Sequence, residues 1–344
     1  MSETTSIQQA VALFLDNITL ARSKNTADTY GFAMRAFLAL LADRKIDAEN
    51  APVADLSEDA IGWFAAALKD LAPATERLYL QATAGFYEFL AAERLASPNL
   101  PRLKLLVHQR ARRTGQRLPQ FPRDDLEKVL DYVSSLAPYP PKGTPGVGVQ
   151  PNERRTDDVS QNEHLRDLRD RAFLLTLADT GLRVNEACSL RRGDIDWNEG
   201  RAVIIGKGDK QAVVRFSTRS MNALRDYLSA RSPLDGASGR PLSALPLFAR
   251  HDKGAGKKVK PMTTATGRNI VDERVRQALG GEAEGRITPH SFRHYFVTTV
   301  LRASGNLKLA QELARHANIS VTQRYAHISD DELDKGYYEI FESK

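Results

Sequence analysis

The chain has 344 residues, 42% hydrophobic and 27% charged, and a formal charge of +6. At roughly 150 residues per domain this length predicts two domains, each able to bury a core, and the composition excludes disordered and fibrous classes. No apolar run approaches the ~20 residues that cross a bilayer, the N-terminal segment has no basic stretch leading into an apolar one, and the single cysteine, Cys188, excludes an internal disulfide and a Cys-cluster zinc site; a cytoplasmic protein with no membrane partner is expected.

Residues 1–103 carry nine basic and 13 acidic side chains. Apolar residues recur there at helical spacing in four stripes: Ile7, Val11, Phe14 and Leu15; Tyr30, Met34, Phe37, Leu38 and Leu41; Ile61, Phe64, Ala65 and Leu68; Leu78, Ala82, Phe86, Phe89 and Leu90. Ser23, Asn25 and Thr26 are cap candidates for the second helix, and Ser57 precedes the third. A small helical bundle is predicted. Residues 104–120 hold Lys104, Arg110, Arg112, Arg113 and Arg117 and no acid, between Pro101 and Pro119. They read as a basic interdomain linker, either a solvated connector or a strap along phosphates.

Residues 121–344 are again net basic, with 35 Lys and Arg against 30 Asp and Glu. Leu126, Val129, Leu130 and Val133 predict a helix. The Pro/Gly-rich stretch 137–161 reads as an irregular insertion. Helical pattern resumes at Leu168. Val203, Ile204 and Ile205, a Gly206-Lys207-Gly208-Asp209-Lys210 turn, then Val213, Val214 and Phe216 predict a β-hairpin, with Asp196-Trp197 as a third strand. Helices are expected near 218–230, 264–279, 291–303, 306–315 and 329–341. The fold class is mainly α with a small antiparallel β-sheet.

Four segments concentrate reactive groups: Thr180-Gly181-Leu182-Arg183 with Glu186, the Lys207 turn, His290-Ser291-Phe292-Arg293-His294, and His316 followed nine residues later by Tyr325. Each has a bland reading. Arg183 could pair with Glu186 on the surface, Lys207 could serve solubility, His316 could end a helix, and Tyr325 could be core. His290 and His294 at i, i+4 could suggest metal, but no third ligand is evident. Together they fit phosphodiester chemistry. Arg183, Lys207, His290, Arg293 and His316 can contact a phosphate, and a tyrosine hydroxyl can attack one. Cations neutralise charge on the non-bridging oxygens, and a proton donor serves the leaving oxygen.

In order and spacing these segments resemble the tyrosine recombinase, or phage integrase, family, which includes Xer-type site-specific recombinases. The helical N-terminal region, with Ser23-Lys24-Asn25-Thr26 and Tyr30, resembles that family's SAM-like core-binding domain, and residues from about 118 onward resemble its catalytic domain. The resemblance implies a site-specific DNA recombinase that clamps duplex DNA between two domains and works as a tetramer on two sites. It would act in integration, excision or dimer resolution, with accessory proteins as candidate partners and neither metal nor other cofactor. It implies that Tyr325 forms a 3′-phosphotyrosyl bond and releases a 5′-hydroxyl. Arg183 and Arg293 clamp the non-bridging oxygens, Lys207 is the general acid, His290 assists proton transfer and His316 donates to the phosphate, with Glu186 in support. Candidate DNA contacts are Lys24, Arg35, Arg77, Arg110, Arg112, Arg113 and Lys210. Alternatives are a type IB topoisomerase-like nicking and resealing enzyme and a non-cleaving DNA-binding protein on the same fold. Arg315 stands where many members have glycine, and could add a phosphate contact or be tolerated on a helix surface. Leu333, Tyr337, Ile340 and Phe341 predict a C-terminal docking helix near 330–341, packing on its own domain or on a neighbouring protomer.

Overall fold

The chain divides into two compact units, Met1–Arg117 and Leu118–Lys344. The computed structural model describes residues 5–110, 122–136, 151–205, 211–252, 254–256, 258–316 and 318–323.

The first unit is built from α1 (Ile7–Ala21), α2 (Lys24–Asp43), α3 (Asp59–Ala67), α4 (Pro73–Ala92) and α5 (Leu100–Arg110). Local chemistry sets the helix starts. Ser6 Oγ accepts from the Gln9 N–H at 3.2 Å while Gln9 Oε1 accepts from the Ser6 N–H at 2.9 Å, a reciprocal cap. Ser23 Oγ accepts from the Thr26 N–H at 3.4 Å, and Pro73 opens α4, where its missing N–H is no loss. The predicted stripes meet in one core containing Phe14, Phe37, Phe64, Phe86 and Tyr87. Phe37 and Phe64 meet edge to face at 5.3 Å, and the Tyr87 hydroxyl donates to the Ser57 carbonyl at 2.7 Å, fixing the turn before α3.

Residues 104–110 differ from the linker expectation, because they complete α5. Leu100, Leu103 and Val107 recur at helical spacing, and Leu103 is buried in the bundle core, so packing extends the helix through the basic stretch. Arg102 on the same helix pairs with Asp59 at 2.6 Å. Residues 111–120 of the expected linker lie outside the described residues.

The second unit contains α6 (Arg123–Ser135), α7 (Pro151–Thr180), α8 (Val184–Ser189), β1 (Ile195–Asp196), β2 (Arg201–Ile205), β3 (Gln211–Arg215), α9 (Thr218–Gly236), α10 (Thr264–Leu279), α11 (Pro289–Ser304), α12 (Leu307–Ala314) and α13 (Ile319–Gln323). The insertion expected at 137–161 is corrected from Pro151 onward, where the backbone is helical. Proline is preorganised for the first helical position, and no further proline or glycine occurs before Gly181. Residues 137–150 lie outside the described residues, as does the expected helix at 330–341.

The sheet has antiparallel order β1-β2-β3, with Ile195 opposite Ala202 and Val203 opposite Val213. Ala202, Ile204 and Val214 face the core, while Val203, Ile205 and Val213 are exposed. The third strand is Ile195–Asp196, one residue earlier than predicted. The core joins Phe173, Leu174 and Leu177 of α7 to Leu224 and Tyr227 of α9, Val271 and Val275 of α10, and Phe292 of α11.

Buried ion pairs pin loops and helices to this core. Arg231 is fully buried. It donates to Asp235 at 2.9 Å and to the Pro246 and Leu247 carbonyls at 2.9 Å each, and Arg192 reaches the other Asp235 oxygen at 2.5 Å. Arg274 on α10 likewise bonds Asp170 and Asp167 of α7 at 2.7 and 2.6 Å. Asp235→Ala leaves Arg231 buried without its carboxylate, and a loss of about 3–5 kcal/mol in denaturant unfolding is expected; an unchanged midpoint would refute this role.

Candidate active site

Helix α7 ends at Thr180, and Gly181 follows with φ +61°. A Cβ at Gly181 would collide with the Phe296 ring, so both the backbone twist and the close approach require glycine. The reversal places Arg183 at the N-cap of α8, as the sequence predicts. Its backbone N–H donates to Glu186 Oε2 at 2.9 Å and its Nη1 to Oε1 at 2.7 Å. The Arg183 side chain is 52% exposed, whereas Glu186 is 10% exposed.

Thr288 and Pro289 start α11, with the Thr288 N–H donating to Ser291 Oγ at 3.1 Å. His290 is exposed at this helix start. One turn on, Arg293 is buried. Its Nη1 donates to the Gly181 carbonyl at 2.5 Å, and its Nη2 to the Ala314 carbonyl at the end of α12. Helices α11 and α12 pack through Val297, Ala310 and Ala314. Arg315 then takes a left-handed conformation, φ +57°, and turns the chain into His316. The His316 Nδ1 lies 2.8 Å from the hydroxyl of buried Thr322, and its carbonyl accepts from Gln311 Nε2 at 3.1 Å.

Arg183, His290, Arg293 and His316 thus belong to one electrostatic neighbourhood. Burial first, then the Arg293, Arg183 and Arg315 charges and His290, push the His316 imidazole down to about 4. Desolvation, then Arg293 and Arg183, lowers His290. Burial and then His290 push His294 down to about 4. Burial opposes ionisation of Glu186, but hydrogen bonds from Arg183 and the Arg315 and Arg183 charges outweigh it, holding the carboxyl below its ordinary range. Crowded cations beside partly buried imidazoles make a site ready for an anion, whose charge would offset the cationic share of those shifts.

Other expected residues belong to the first unit or lie outside the described residues. Lys24, Arg35 and Arg77 are exposed on the first unit, with Arg35 lying over the Phe32 ring at 4.6 Å. Arg110 is the last residue of α5. Tyr325, Lys207, Lys210, Arg112 and Arg113 fall outside the described residues. Among the described residues no group of three or more His, Cys, Asp or Glu is placed to hold a metal ion, and no helix is long and apolar enough to cross a membrane. Sequence reasoning missed Thr322, whose contact with His316 depends on the turn into α13, and Phe296, whose ring is what makes Gly181 obligatory; neither leaves a local pattern.

The phage integrase family model matches residues 157–332, half of the chain. The chain belongs to the phage integrase family. It is 29% identical over 335 residues to a tyrosine recombinase XerC of Bacillus pumilus (strain SAFR-032), covering 97% of this chain and 96% of that protein. A tyrosine recombinase XerC of Pelobacter propionicus is 36% identical over 170 residues, 49% of this chain; the match spans about half, 51%, of that relative. The structure of the XerH site-specific recombinase bound to palindromic difH substrate, a post-cleavage complex, aligns with a TM-score of 0.63 at 17% identity, over 97% of this chain and 84% of that one. The Tn1549 transposon integrase in complex with circular intermediate DNA aligns with a TM-score of 0.60 at 17% identity, over 97% and 99%. At these identities the structures establish the shared fold. The chain is a tyrosine recombinase, an enzyme of site-specific DNA cleavage and rejoining; the topoisomerase-like and non-cleaving readings are not favoured.

Gly181→Ala is expected to destabilise the fold by more than about 1 kcal/mol and to impair cleavage, because the new methyl must displace Phe296; wild-type thermal stability in this variant would refute the account. The depressed histidines set an acid limb. His251 is held at about 3 by burial and by Arg169, Arg231 and Arg166, and His294 and His316 at about 4. The unfolded chain therefore binds more protons below its histidine value near 6.5. Stability is full above about pH 6.5 and declines as pH falls towards 4, as a thermal midpoint measured against pH should show; a midpoint that rises on acidification would contradict it.

Proposed function

We propose that this recombinase cleaves DNA through Tyr325, whose hydroxyl oxygen attacks the scissile phosphorus, forms a 3′-phosphotyrosyl bond and expels the 5′-oxygen. Arg183 and Arg293 hold the non-bridging oxygens and stabilise the charge that develops on them. Lys207 gives its proton to the departing 5′-oxygen, so a 5′-hydroxyl leaves. His290 assists proton transfer from the tyrosine, and His316, oriented by Thr322, donates to the phosphate. Glu186 holds Arg183 at the opening of α8. Attack of a 5′-hydroxyl on the phosphotyrosyl bond reverses the step and rejoins the strand. The bond energy is conserved in the covalent intermediate, so strand exchange needs no external energy source.

The observation that carries this reading is the meeting of three chain segments, around Arg183, His290–Arg293 and His316, joined by the Arg293 guanidinium. In this reading both domains contact double-stranded DNA, the helical domain through Lys24, Arg35, Arg77 and, at the end of α5, Arg110, the basic segment 111–120 through Arg112 and Arg113, and the catalytic domain 121–344 through Lys210. Four protomers act on two sites in the cytoplasm, with the segment 330–341 as a docking element. The difH complex of XerH and the DNA complex of the Tn1549 integrase support duplex binding on this fold.

A suicide substrate that loses its 5′-hydroxyl fragment after cleavage should trap a covalent protein–DNA adduct. Tyr325→Phe should abolish it. Adduct formation by the Phe variant would overturn the nucleophile assignment.

A further inference from the structure

Two guanidinium groups and one carboxylate meet at the opening of α8. Glu186 Oε1 accepts from Arg183 Nη1 at 2.7 Å, and Glu186 Oε2 accepts from the Arg183 backbone N–H at 2.9 Å and from Arg315 Nη2 at 3.0 Å. We propose that Arg315 is a positioning residue of the phosphate site, one that takes up the Glu186 charge so that the charge of Arg183 remains available to the scissile phosphate. The proposal rests on the phosphodiester chemistry assigned above.

Burial decides how the carboxylate is shared. Arg315 is 11% exposed and Glu186 10%, so their ion pair lies in a low-dielectric setting. Arg183 is largely solvent-exposed, where water screens its attraction to the same carboxylate. The Arg315–Glu186 pair therefore offsets the carboxylate more completely than Arg183 does. Without Arg315, Glu186 would cancel the Arg183 charge at the place where a phosphate must be held.

Arg315 takes up this position against two unfavourable features. Its Nε and Nη1 are buried with no hydrogen-bond partner among the described residues, which is costly for a cation. Its backbone is left-handed, a conformation suited to glycine. An arginine merely tolerated on a surface would swing its head into water. Instead the side chain spans from the end of α12 to α8, with Nη2 also 3.5 Å from the Gly181 carbonyl. It thereby links the His316 segment to the Arg183 segment by a route separate from Arg293.

The test is a double-mutant cycle in the full chain. Arg315→Gln keeps much of the stem and removes the charge; Arg315→Gly keeps the left-handed turn, so misfolding of one variant is checked by the other through thermal unfolding. Both should slow single-turnover cleavage of the suicide substrate by about ten-fold or more, as loss of a contact to a charged group does. Arg315→Lys should restore most of the rate. In a Glu186→Gln background, which has no carboxylate to take up, Arg315→Gln should cost under about three-fold. Binding of inorganic phosphate to the DNA-free protein, followed calorimetrically, should weaken in Arg315→Gln and recover in the double variant. An undiminished loss in the Glu186→Gln background, or unchanged phosphate binding in Arg315→Gln, would overturn the proposal. Failure of the wild type to form an adduct would instead count against the nucleophilic reading, and the phosphate titration would still decide the role of Arg315.

Discussion

The Arg293 guanidinium, buried between the Gly181 and Ala314 carbonyls, is the contact on which the site depends. A planar, permanently charged fork can bond two backbone carbonyls at once from a fixed position, which a lysine cannot do. The carbonyls belong to segments far apart in sequence, the reversal after α7 and the end of α12. Tying both to α11 sets where Arg183 and His316 stand relative to each other. The surrounding core serves this tie. Phe292, adjacent to Arg293, packs in the main core of the second unit, and Val297 on the same helix packs against Ala310 and Ala314 of α12.

The electrostatics follow from that convergence. Cations brought together and partly removed from water repel one another, and burial, with their charge added, keeps the neighbouring His290 and His316 imidazoles neutral. Glu186 is the carboxylate that relieves part of this repulsion, and it contacts both Arg183 and Arg315. A site organised in this way is preorganised for a group bearing negative charge, so little rearrangement is needed when charge develops on phosphate oxygens. With His294 and His316 held at about 4 and His290 lowered, these imidazoles stand neutral near physiological pH, where a ring N–H of each can donate a hydrogen bond.

Much of the architecture was legible in the sequence because it depends on local rules. Helical spacing of Phe14, Phe37, Phe64 and Phe86 marked the bundle, the β-branched run at 203–205 marked the hairpin, and Gly181 marked the end of α7. Two elements were misread for physical reasons. The charge of residues 104–110 concealed a helix whose stability comes from Leu103 packing on the bundle. The prolines before 151 suggested a loop that would continue to 161, although Pro151 itself starts α7.

The order and spacing of Arg183, Lys207, His290, Arg293, His316 and Tyr325, through their resemblance to the tyrosine recombinase family, pointed from sequence alone to phosphodiester chemistry, because these donors can contact a phosphate and a tyrosine hydroxyl can attack one. Only the tertiary structure decided how the described ones among them are held. It placed Arg293 on two backbone carbonyls, His316 against Thr322, and Arg315 on Glu186. These partners are separated along the chain, and a hydrogen bond between distant segments is set by packing geometry, which no local periodicity records.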